Sequence, residues 1–413
     1  MADCPGVLHL AAMADGGLAR IRTLGGALTG AQARAVGEAA ERLGSGVVDL
    51  TNRANLQIRG LAPDAGPELA SRLEAAGFRF GRAERRRNIL LDPFSGIDPG
   101  ERRDLRSLGA ALDQALSSAP WIESLSPKFS FVLDGGGPIG IGATPSDVAV
   151  VAARDGLVVT AGQVSAAFGS EDGAVDALLS IAAAAAAEGG DMRAGGLSEP
   201  MIRKALTSSG GAVLATPPPR ANAVEPRLGL VAMRAGGVAL SLPVPVGRLD
   251  QAMLDFLANI AERDGEGRLV LTPWSAVVIP GLAESRAAAL LAPSVAVGFP
   301  PLAVAERLAV VACAGAPACE RAHEPAKALG REILALAASD PARLPERRAS
   351  LHLSGCPKGC GGAVPADLLL LGSSERAGWS AHRDAAPRRP GQELGRLEAP
   401  GAAEALALLA TTR

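Results

Sequence analysis

The pattern of apolar positions predicts a helix near the start of the chain. Between a cap at Thr29 and a stop at Gly44, apolar residues recur at helical spacing, at Ala35, Val36, Ala39, Ala40 and Leu43. Gln32, three residues after Thr29, completes the pattern of a capping box. Two extended segments follow, at residues 47–51 and 53–60. This order predicts a helix that packs on a small sheet.

The same unit occurs a second time. Residues 46–51 align with residues 267–272, and residues 58–61 align with 279–282 at the same offset. A helix again precedes the strands, with one apolar face formed by Leu249, Met253, Phe256, Leu257 and Ile260. Chance similarity of two short units is the alternative to an internal duplication. A duplication predicts two half-domains related by a pseudo-twofold axis.

Mixed helical and extended segments make up the rest of the chain. Residues 129–133 and 148–152 read as strands, and an alanine-rich helix at 174–188 ends at Gly189. A proline run at 217–219 predicts a linker. Residues 295–372 read as a strand, a helix and a second strand, with a cysteine pair after each strand. We expect the last forty residues to pack peripherally with one late helix.

Composition limits the classes of partner. The 41 basic and 43 acidic side chains give a net charge of -2, which predicts neither a nucleic-acid nor a membrane surface. The apolar runs are too short to span a bilayer, and the N-terminus shows no secretory pattern. Four of the five cysteines are clustered, which favours metal binding in a reducing, cytoplasmic compartment over disulfides.

Two cysteine pairs predict a cluster of thiolates. Five residues separate Cys313 from Cys319, and three separate Cys356 from Cys360. Thiolates at this spacing hold iron and sulfide, or zinc. The neighbouring residues are mostly glycine, alanine and proline, which let backbone amides approach the sulfurs and favour an iron-sulfur cluster.

A second set of candidate residues alternates along the stretch after the first repeated strand. If this stretch is extended, one face carries Arg53, Asn55, Gln57 and Arg59. Solvated surface is one interpretation. The matching positions of the second copy are apolar, at Trp274, Ala276, Val278 and Pro280. Such asymmetry favours a ligand site in the first copy, and arginine suits the capture of carboxylates.

A glycine-rich segment at 134–140 follows a strand and matches a dinucleotide-binding pattern weakly. Pro138 and the glycines after it prevent the helix that such a site needs. We therefore predict a tight hairpin there and no nicotinamide site, so reducing electrons would come from a separate donor protein.

Together these features resemble the sirohaem-dependent nitrite and sulfite reductase superfamily over nearly the whole chain. Besides the duplication and the cysteine pairs, the matching motifs are Thr51-x-Arg53-x-x-x-Gln57, Arg87-Asn88, Lys128-Phe129-Ser130 and Gly355-Cys356-Pro357. The resemblance implies an α+β fold in which two pseudo-twofold-related ferredoxin-like half-domains form one sheet-bearing domain, with two mixed α/β domains beside it. The implied bounds are 1–68 and 216–290 for the half-domains (the second including the linker), 69–215 and 291–372 for the α/β domains, and 373–413 for a C-terminal extension.

Two departures point to one branch of this family. The reductases carry a second lysine where this chain has Ser130, and an asparagine where it has Lys358. The segment 354–360 is instead similar to that of the precorrin-3B synthase branch of aerobic cobalamin (vitamin B12) biosynthesis. This branch implies an O2-dependent monooxygenase that hydroxylates precorrin-3A at a meso carbon and closes a lactone from the ring A acetate.

The resemblance also implies roles for individual residues. A [4Fe-4S] cluster would be held by Cys313, Cys319, Cys356 and Cys360. The substrate's carboxylates would be bound by Arg53, Asn55, Gln57, Arg59, Arg87 and Lys128, with Arg53, Arg87 and Lys128 as the catalytic set. A mononuclear non-haem iron is implied too, although no ligand set for it stands out in the sequence.

Two alternatives remain from the sequence. One is a nitrite or sulfite reductase in which Cys360 bridges the cluster and a sirohaem. The other is a binding module whose four cysteines hold structural zinc.

Overall fold

The computed structural model describes residues 4–216, 226–362, 364–375, 377–398 and 401–411, and the predicted linker at 217–219 lies outside them. The strands in chain order are β1 Ala11–Met13, β2 Gly16–Ile21, β3 Ala27–Thr29, β4 Val47–Leu50, β5 Leu56–Leu61, β6 Ile89–Leu91, β7 Phe131–Asp134, β8 Val148–Ala153, β9 Gly156–Ala161, β10 Val164–Phe168, β11 Ala212–Val213, β12 Gly229–Ala232, β13 Val238–Pro243, β14 Arg248–Asp250, β15 Arg268–Leu271, β16 Ala276–Leu282, β17 Leu308–Ala312, β18 Ala349–Ser354, β19 Ala366–Gly372, β20 Trp379–Ala385 and β21 Glu393–Leu397. The α-helices are α1 Gly30–Leu43, α2 Gly66–Ala75, α3 Arg106–Ser118, α4 Glu171–Glu188, α5 Glu199–Ser208, α6 Gln251–Arg263, α7 Glu284–Val297, α8 Leu302–Arg307, α9 Ala326–Ser339 and α10 Ala402–Thr411.

Two five-stranded sheets carry the duplicated unit. Their strand orders are β1-β2-β5-β4-β14 and β12-β13-β16-β15-β3. Each sheet therefore takes one edge strand from the other copy, because β14 pairs with β4 and β3 pairs with β15. The exchanged strands lead directly into α6 and α1, which contact each other, and apolar side chains from both copies form one core. The predicted duplication is confirmed.

The helix caps follow the sequence prediction. Thr29 accepts a hydrogen bond from the backbone N–H of Gln32, and the Gln32 side chain accepts one from the backbone N–H of Thr29. Asp250 caps α6 in the same position of the second copy by accepting from the N–H of Met253 at 2.9 Å. The alanine-rich helix is also confirmed as α4, which ends before Gly189.

The polar stretch of the first copy differs from its prediction. The extended segment was expected from Arg53, but β5 begins at Leu56. The Thr51 hydroxyl accepts from the backbone N–H of Asn55 at 3.1 Å, and Ala54 adopts a φ of 53°, so Arg53 lies in a tight turn. The second copy repeats this turn, with Thr272 accepting from Ala276 at 2.8 Å.

A third sheet, of six strands, has the order β11-β10-β9-β8-β7-β6. The tight hairpin predicted at 134–140 is wrong, since β7 and β8 are parallel and residues 135–147 cross over between them. The Asp134 carboxylate orders this crossover by accepting from the backbone N–H groups of Gly136 and Gly142.

The fourth sheet has the order β17-β18-β19-β20-β21, with β17, β18 and β19 parallel. The C-terminal residues were expected to pack peripherally, and this is wrong. β20 and β21 extend the sheet, Trp379 is fully buried, and α10 packs on α9. The whole is the α+β architecture expected from the sequence. None of its helices, within the described residues, is both long and apolar enough to cross a membrane.

Candidate active site at the junction of the sheets

The two cysteine loops follow adjacent parallel strands. Cys313 comes directly after β17, Cys356 follows β18, and these strands pair along their length. Because the carboxyl ends of parallel strands meet at one edge of a sheet, the four thiols come close together. Burial raises the pKa of Cys313, and the neighbouring Cys360 and Cys356 raise it further.

Backbone amides approach the buried sulfur as the small residues of these loops predict. The N–H of Gly355 donates to the Sγ of Cys313 at 3.2 Å. A Cβ atom at position 355 would lie only 2.8 Å from the Cβ of Ala322, so glycine is needed for this approach. Hydrogen bonds of this kind stabilise a thiolate and tune a bound cluster.

The donor set of the four thiols is suited to an iron-sulfur cluster or to zinc. Within the described residues, no group of three or more His, Cys, Asp or Glu side chains is arranged to hold a single metal ion. The same residues therefore offer no ligand set for the expected mononuclear iron.

Cys360 is the outermost of the four. Cys313 and Cys356 are buried, Cys319 is half-buried, and Cys360 is exposed. Lys358 and Arg388 lie near Cys360, and the Nε of Arg388 donates to the Lys358 carbonyl at 3.1 Å. The thiol at the surface of the group is therefore flanked by positive charge.

Arg59 joins the first sheet to the cysteine loop. Its guanidinium donates to both carboxylate oxygens of Asp15, at 2.9 and 3.0 Å, and also to the carbonyl of Ala318, the neighbour of Cys319. Its side chain is only 4% exposed, so these partners occupy most of its hydrogen-bonding capacity. Its geometry suits a residue that positions the loop.

Gln57 lies in a polar row that crosses neighbouring strands of the first sheet. With its amide oxygen turned toward Arg20, Gln57 accepts from that guanidinium at 2.9 and 3.2 Å. Its register partner on the neighbouring strand β4 is Asp49. The Asp49 carboxylate binds Arg248 at 2.7 Å and Lys327 of α9 at 3.1 Å. Asn55 is buried at the start of β5 and is fixed by its backbone bond to Thr51.

Arg53 has an unsatisfied guanidinium. Its Nη2 donates to the carbonyl of Pro145 at 2.5 Å, whereas its Nη1 is buried and has no hydrogen-bond partner in the described residues. Burial lowers the pKa of Arg53, and the nearby Arg193 lowers it further while Asp147 opposes the shift. A buried cationic donor without a partner is suited to an anionic ligand.

Lys128 and Ser130 lead to a residue that the sequence prediction missed. Lys128 donates to Asp191 at 3.0 Å and is half exposed. Ser130 donates to Asp147 from both its backbone N–H and its hydroxyl, at 2.9 and 3.2 Å. Asp147 in turn binds Arg193. Arg193 belongs to no motif, and its only sequence signal is its place two residues after Asp191.

Arg87 is engaged elsewhere. Its Nη1 donates to both oxygens of Asp113 in α3, at 3.0 and 2.8 Å. Within the described residues, none of its hydrogen bonds or ion pairs reaches Arg53 or Lys128.

The equivalent position of the second copy is filled. Trp274 stands where the first copy has Arg53, and it stacks on Phe94 with 6.3 Å between the ring centroids. Ile97 and Ile139 belong to the same apolar cluster as Phe94. The polar arrangement is therefore kept in one copy and replaced by core packing in the other.

Residues 53–59 connect the third sheet to the cysteine loops. Arg53 at one end touches the crossover loop at Pro145, and Arg59 at the other touches Ala318. Six residues span at most about 20 Å, so the crossover loop and the cysteine loop lie within about that distance of each other along β5.

Two separate cavities, of about 370 and 380 Å³, are lined by none of the predicted site residues.

Comparison with known proteins agrees with this architecture. Residues 12–76 and 231–293 match the family described as the nitrite/sulfite reductase ferredoxin-like half domain. A precorrin-3B synthase from Sinorhizobium sp is 30% identical over 90% of this chain and 80% of its own length. A ferredoxin-nitrite reductase from Synechococcus elongatus is 29% identical over 87% of this chain and 77% of its own. The solved structure of the NirA protein of Mycobacterium tuberculosis superposes with a TM-score of 0.72 at 17% identity, over 92% of this chain and 77% of that one.

Proposed function

Because this chain belongs to the precorrin-3B synthase family of the nitrite/sulfite reductase superfamily, we propose that it is a monooxygenase that acts on precorrin-3A in aerobic cobalamin biosynthesis. One atom of O2 is inserted at the meso carbon of the reduced macrocycle, and the ring A acetate closes to a lactone. The other oxygen atom leaves as water. This balance requires two electrons and two protons, and an external donor protein supplies the electrons.

The cysteines would hold the electron-transfer group. Cys313, Cys319, Cys356 and Cys360 would hold a [4Fe-4S] cluster, which would supply electrons one at a time. The N–H of Gly355 stabilises negative charge on the sulfur of Cys313. Arg59 fixes the cysteine loop against the first sheet, so the substrate face and the cluster keep a constant separation.

The cationic residues would bind and orient the substrate. The buried Nη1 of Arg53 is directed to a substrate carboxylate, because no other group among the described residues satisfies it. Lys128 is half exposed beside Asp191 and can deliver a proton or bind a second carboxylate. Asn55 and Gln57 extend the polar face. For Arg87 to bind the substrate, its ion pair with Asp113 would have to open.

One observation carries this proposal. The first copy, which contacts the cysteine loop, has polar side chains on this face. The matching face of the second copy is packed with aromatic and aliphatic side chains. A single ligand site next to an electron-transfer centre is what the reaction needs. The iron expected to activate O2 has no ligand set here, and no step of the proposal is assigned to it.

The test is an assay with precorrin-3A under isotopically labelled O2, using protein purified without oxygen. We expect the product mass to rise by one labelled oxygen atom per molecule. Cys360→Ser is the matched inactive control, since it removes one cluster ligand. An unlabelled product, or no product from cluster-loaded protein with a competent electron donor, would contradict the proposal.

A sirohaem nitrite or sulfite reductase is the second candidate. The exposed position of Cys360 favours it, because a thiolate at the surface of the cluster could bridge to a haem iron. Ser130 opposes it, because the second lysine of the reductases is missing. Pigment extraction separates the two: stoichiometric sirohaem together with nitrite or sulfite reduction would establish the reductase.

A further inference from the structure

The side chain at position 130 determines what the nearby carboxylate can bind. Ser130 is fully buried, short and neutral, and it uses its hydroxyl and its N–H to hold Asp147. With serine there, the negative charge of Asp147 is available to a cation from another segment.

That cation is Arg193. Its Nε lies 2.8 Å from both oxygens of Asp147, and its Nη2 lies 2.6 Å from one of them. The backbone N–H of Ala194 also donates to Asp147, at 2.9 Å, so the carboxylate fixes both the side chain and its loop. The side chain of Asp147 is 3% exposed, whereas that of Arg193 is 42% exposed.

One edge of the Arg193 guanidinium remains available. Its Nε and Nη2 are bound to Asp147, and its Nη1 takes part in no hydrogen bond within the described residues. The guanidinium of Arg53 lies near enough to be repelled by it, with a buried Nη1 that also has no partner. Two guanidinium groups therefore lie near each other beside the crossover loop, and each has a donor without a hydrogen-bond partner among the described residues.

We propose that Arg193 and Arg53 together bind one carboxylate of the substrate, and that Asp147 positions Arg193 for this role. The proposal rests on the proposed function, which supplies a polycarboxylate tetrapyrrole as the ligand. Two planar forks suit a carboxylate with two oxygens, and the anion would relieve the repulsion between the two cations. Arg193 thereby supplies the positive charge that the reductases carry as a lysine at the position of Ser130.

The experiment measures binding of uroporphyrin III, a stable polycarboxylate tetrapyrrole, by fluorescence to the full, cluster-loaded chain. Arg193→Ala should weaken binding roughly 10- to 150-fold, the range for losing hydrogen bonds to a charged group. Arg193→Lys should recover only part of this loss, because it keeps the charge without the fork. Arg203→Ala, which removes an exposed arginine of α5, should leave binding unchanged.

Coupling gives a second readout. The effects of Arg53→Ala and Arg193→Ala on the binding free energy should be non-additive, because both substitutions remove hydrogen bonds to the same substrate carboxylate. The octamethyl ester of uroporphyrin, which has no carboxylates, should bind wild type and Arg193→Ala equally. Unchanged cluster absorbance and circular dichroism would show that the variants fold.

Two results would overturn the inference in distinguishable ways. If Arg193→Ala binds like wild type while Arg53→Ala does not, Arg193 is outside the site and the proposed function stands. If wild type neither binds the porphyrin nor converts precorrin-3A, the proposed function fails and the inference fails with it.

Discussion

Arg53 buries a guanidinium nitrogen that has no hydrogen-bond partner in the described residues, and such a group destabilises the ligand-free protein. Arg53→Ala should therefore weaken tetrapyrrole binding strongly while leaving the free energy of unfolding unchanged or higher by up to about 2 kcal/mol. Arg82→Ala is the control, because the Arg82 guanidinium donates to the carbonyl of Ala119 and to no other group among the described residues. Fluorescence titration and denaturant unfolding measure the two effects. Equal loss of binding in both variants would show that Arg53 does not face the ligand.

His352 predicts a pH dependence of stability. Burial lowers its pKa from 6.5 to about 4, and its Nε2 has no partner in the part of the chain that the structure describes. Between these values the unfolded chain binds a proton that the native protein does not, so stability falls as pH drops below 6.5. From pH 7 to 5 the loss should be roughly 2 kcal/mol, and His352→Leu should remove it.

Denaturant unfolding at the two pH values tests this expectation. His9→Leu, at an exposed position, should keep the wild-type dependence. An identical pH dependence in His352→Leu and wild type would show that another group is responsible.

At the residue scale, the sequence predicts those candidate site residues that lie in compact motifs. The cysteine pairs are close in sequence and follow paired strands, so their proximity follows from local spacing. Arg193 could not be predicted, because it is placed by Asp147, which is 46 residues away and itself depends on the serine at position 130. Arg59 matched the polar pattern, and its hydrogen bonds to Asp15 and the Ala318 carbonyl link the first sheet to the cysteine loop.

At the scale of elements, a buried ion cluster fastens β4 and β14 to α9. Burial would raise the pKa of Asp49, but Lys327 and Arg248 hold it at about 2. Asp49→Asn leaves both cations without their counter-charge and should cost about 3 to 5 kcal/mol in the free energy of unfolding. Thermal or denaturant unfolding measures this loss.

An exposed ion pair between α1 and α6 supplies the matched control. Glu262→Gln removes one of the acidic partners of Arg34 and should cost less than about 1 kcal/mol, because water screens the pair. A similar small cost for Asp49→Asn would mean that the cluster does not fasten the sheet to α9.

Secondary structure was predictable where local signals agree. The capping box at Thr29 and the glycine after α4 fixed those helix ends. The turn at Arg53 was not predictable from alternation, because the hydroxyl of Thr51 competes for the backbone. The parallel crossover after β7 was not predictable, since glycines mark both hairpins and crossover loops.

At the scale of the whole molecule, the cysteine loops and the first sheet share one boundary. Cys360→Ser should remove the visible charge-transfer absorbance of the cluster while circular dichroism shows that much of the fold survives. Cys4→Ser should keep that absorbance, because Cys4 belongs to neither cysteine pair and its thiol accepts from the guanidinium groups of Arg20 and Arg22. Unchanged absorbance in Cys360→Ser would remove Cys360 from the ligand set.

The duplication was readable from the sequence, but the way in which the two copies combine was not. Repeated strands and a repeated helix predict two similar units, whereas the exchange of edge strands depends on contacts between residues far apart in the chain. The same holds for β20 and β21, which look peripheral by composition and yet complete a sheet.

The exchange of β3 and β14 has a consequence for the history and engineering of such chains. Either copy expressed alone would lack the edge strand that the other copy supplies, β14 for the first sheet and β3 for the second. The exposed sheet edge would then promote aggregation. Gene fission into two autonomous proteins is therefore disfavoured. Fragments made by cutting between the copies should become stable only when they are produced together and reassemble.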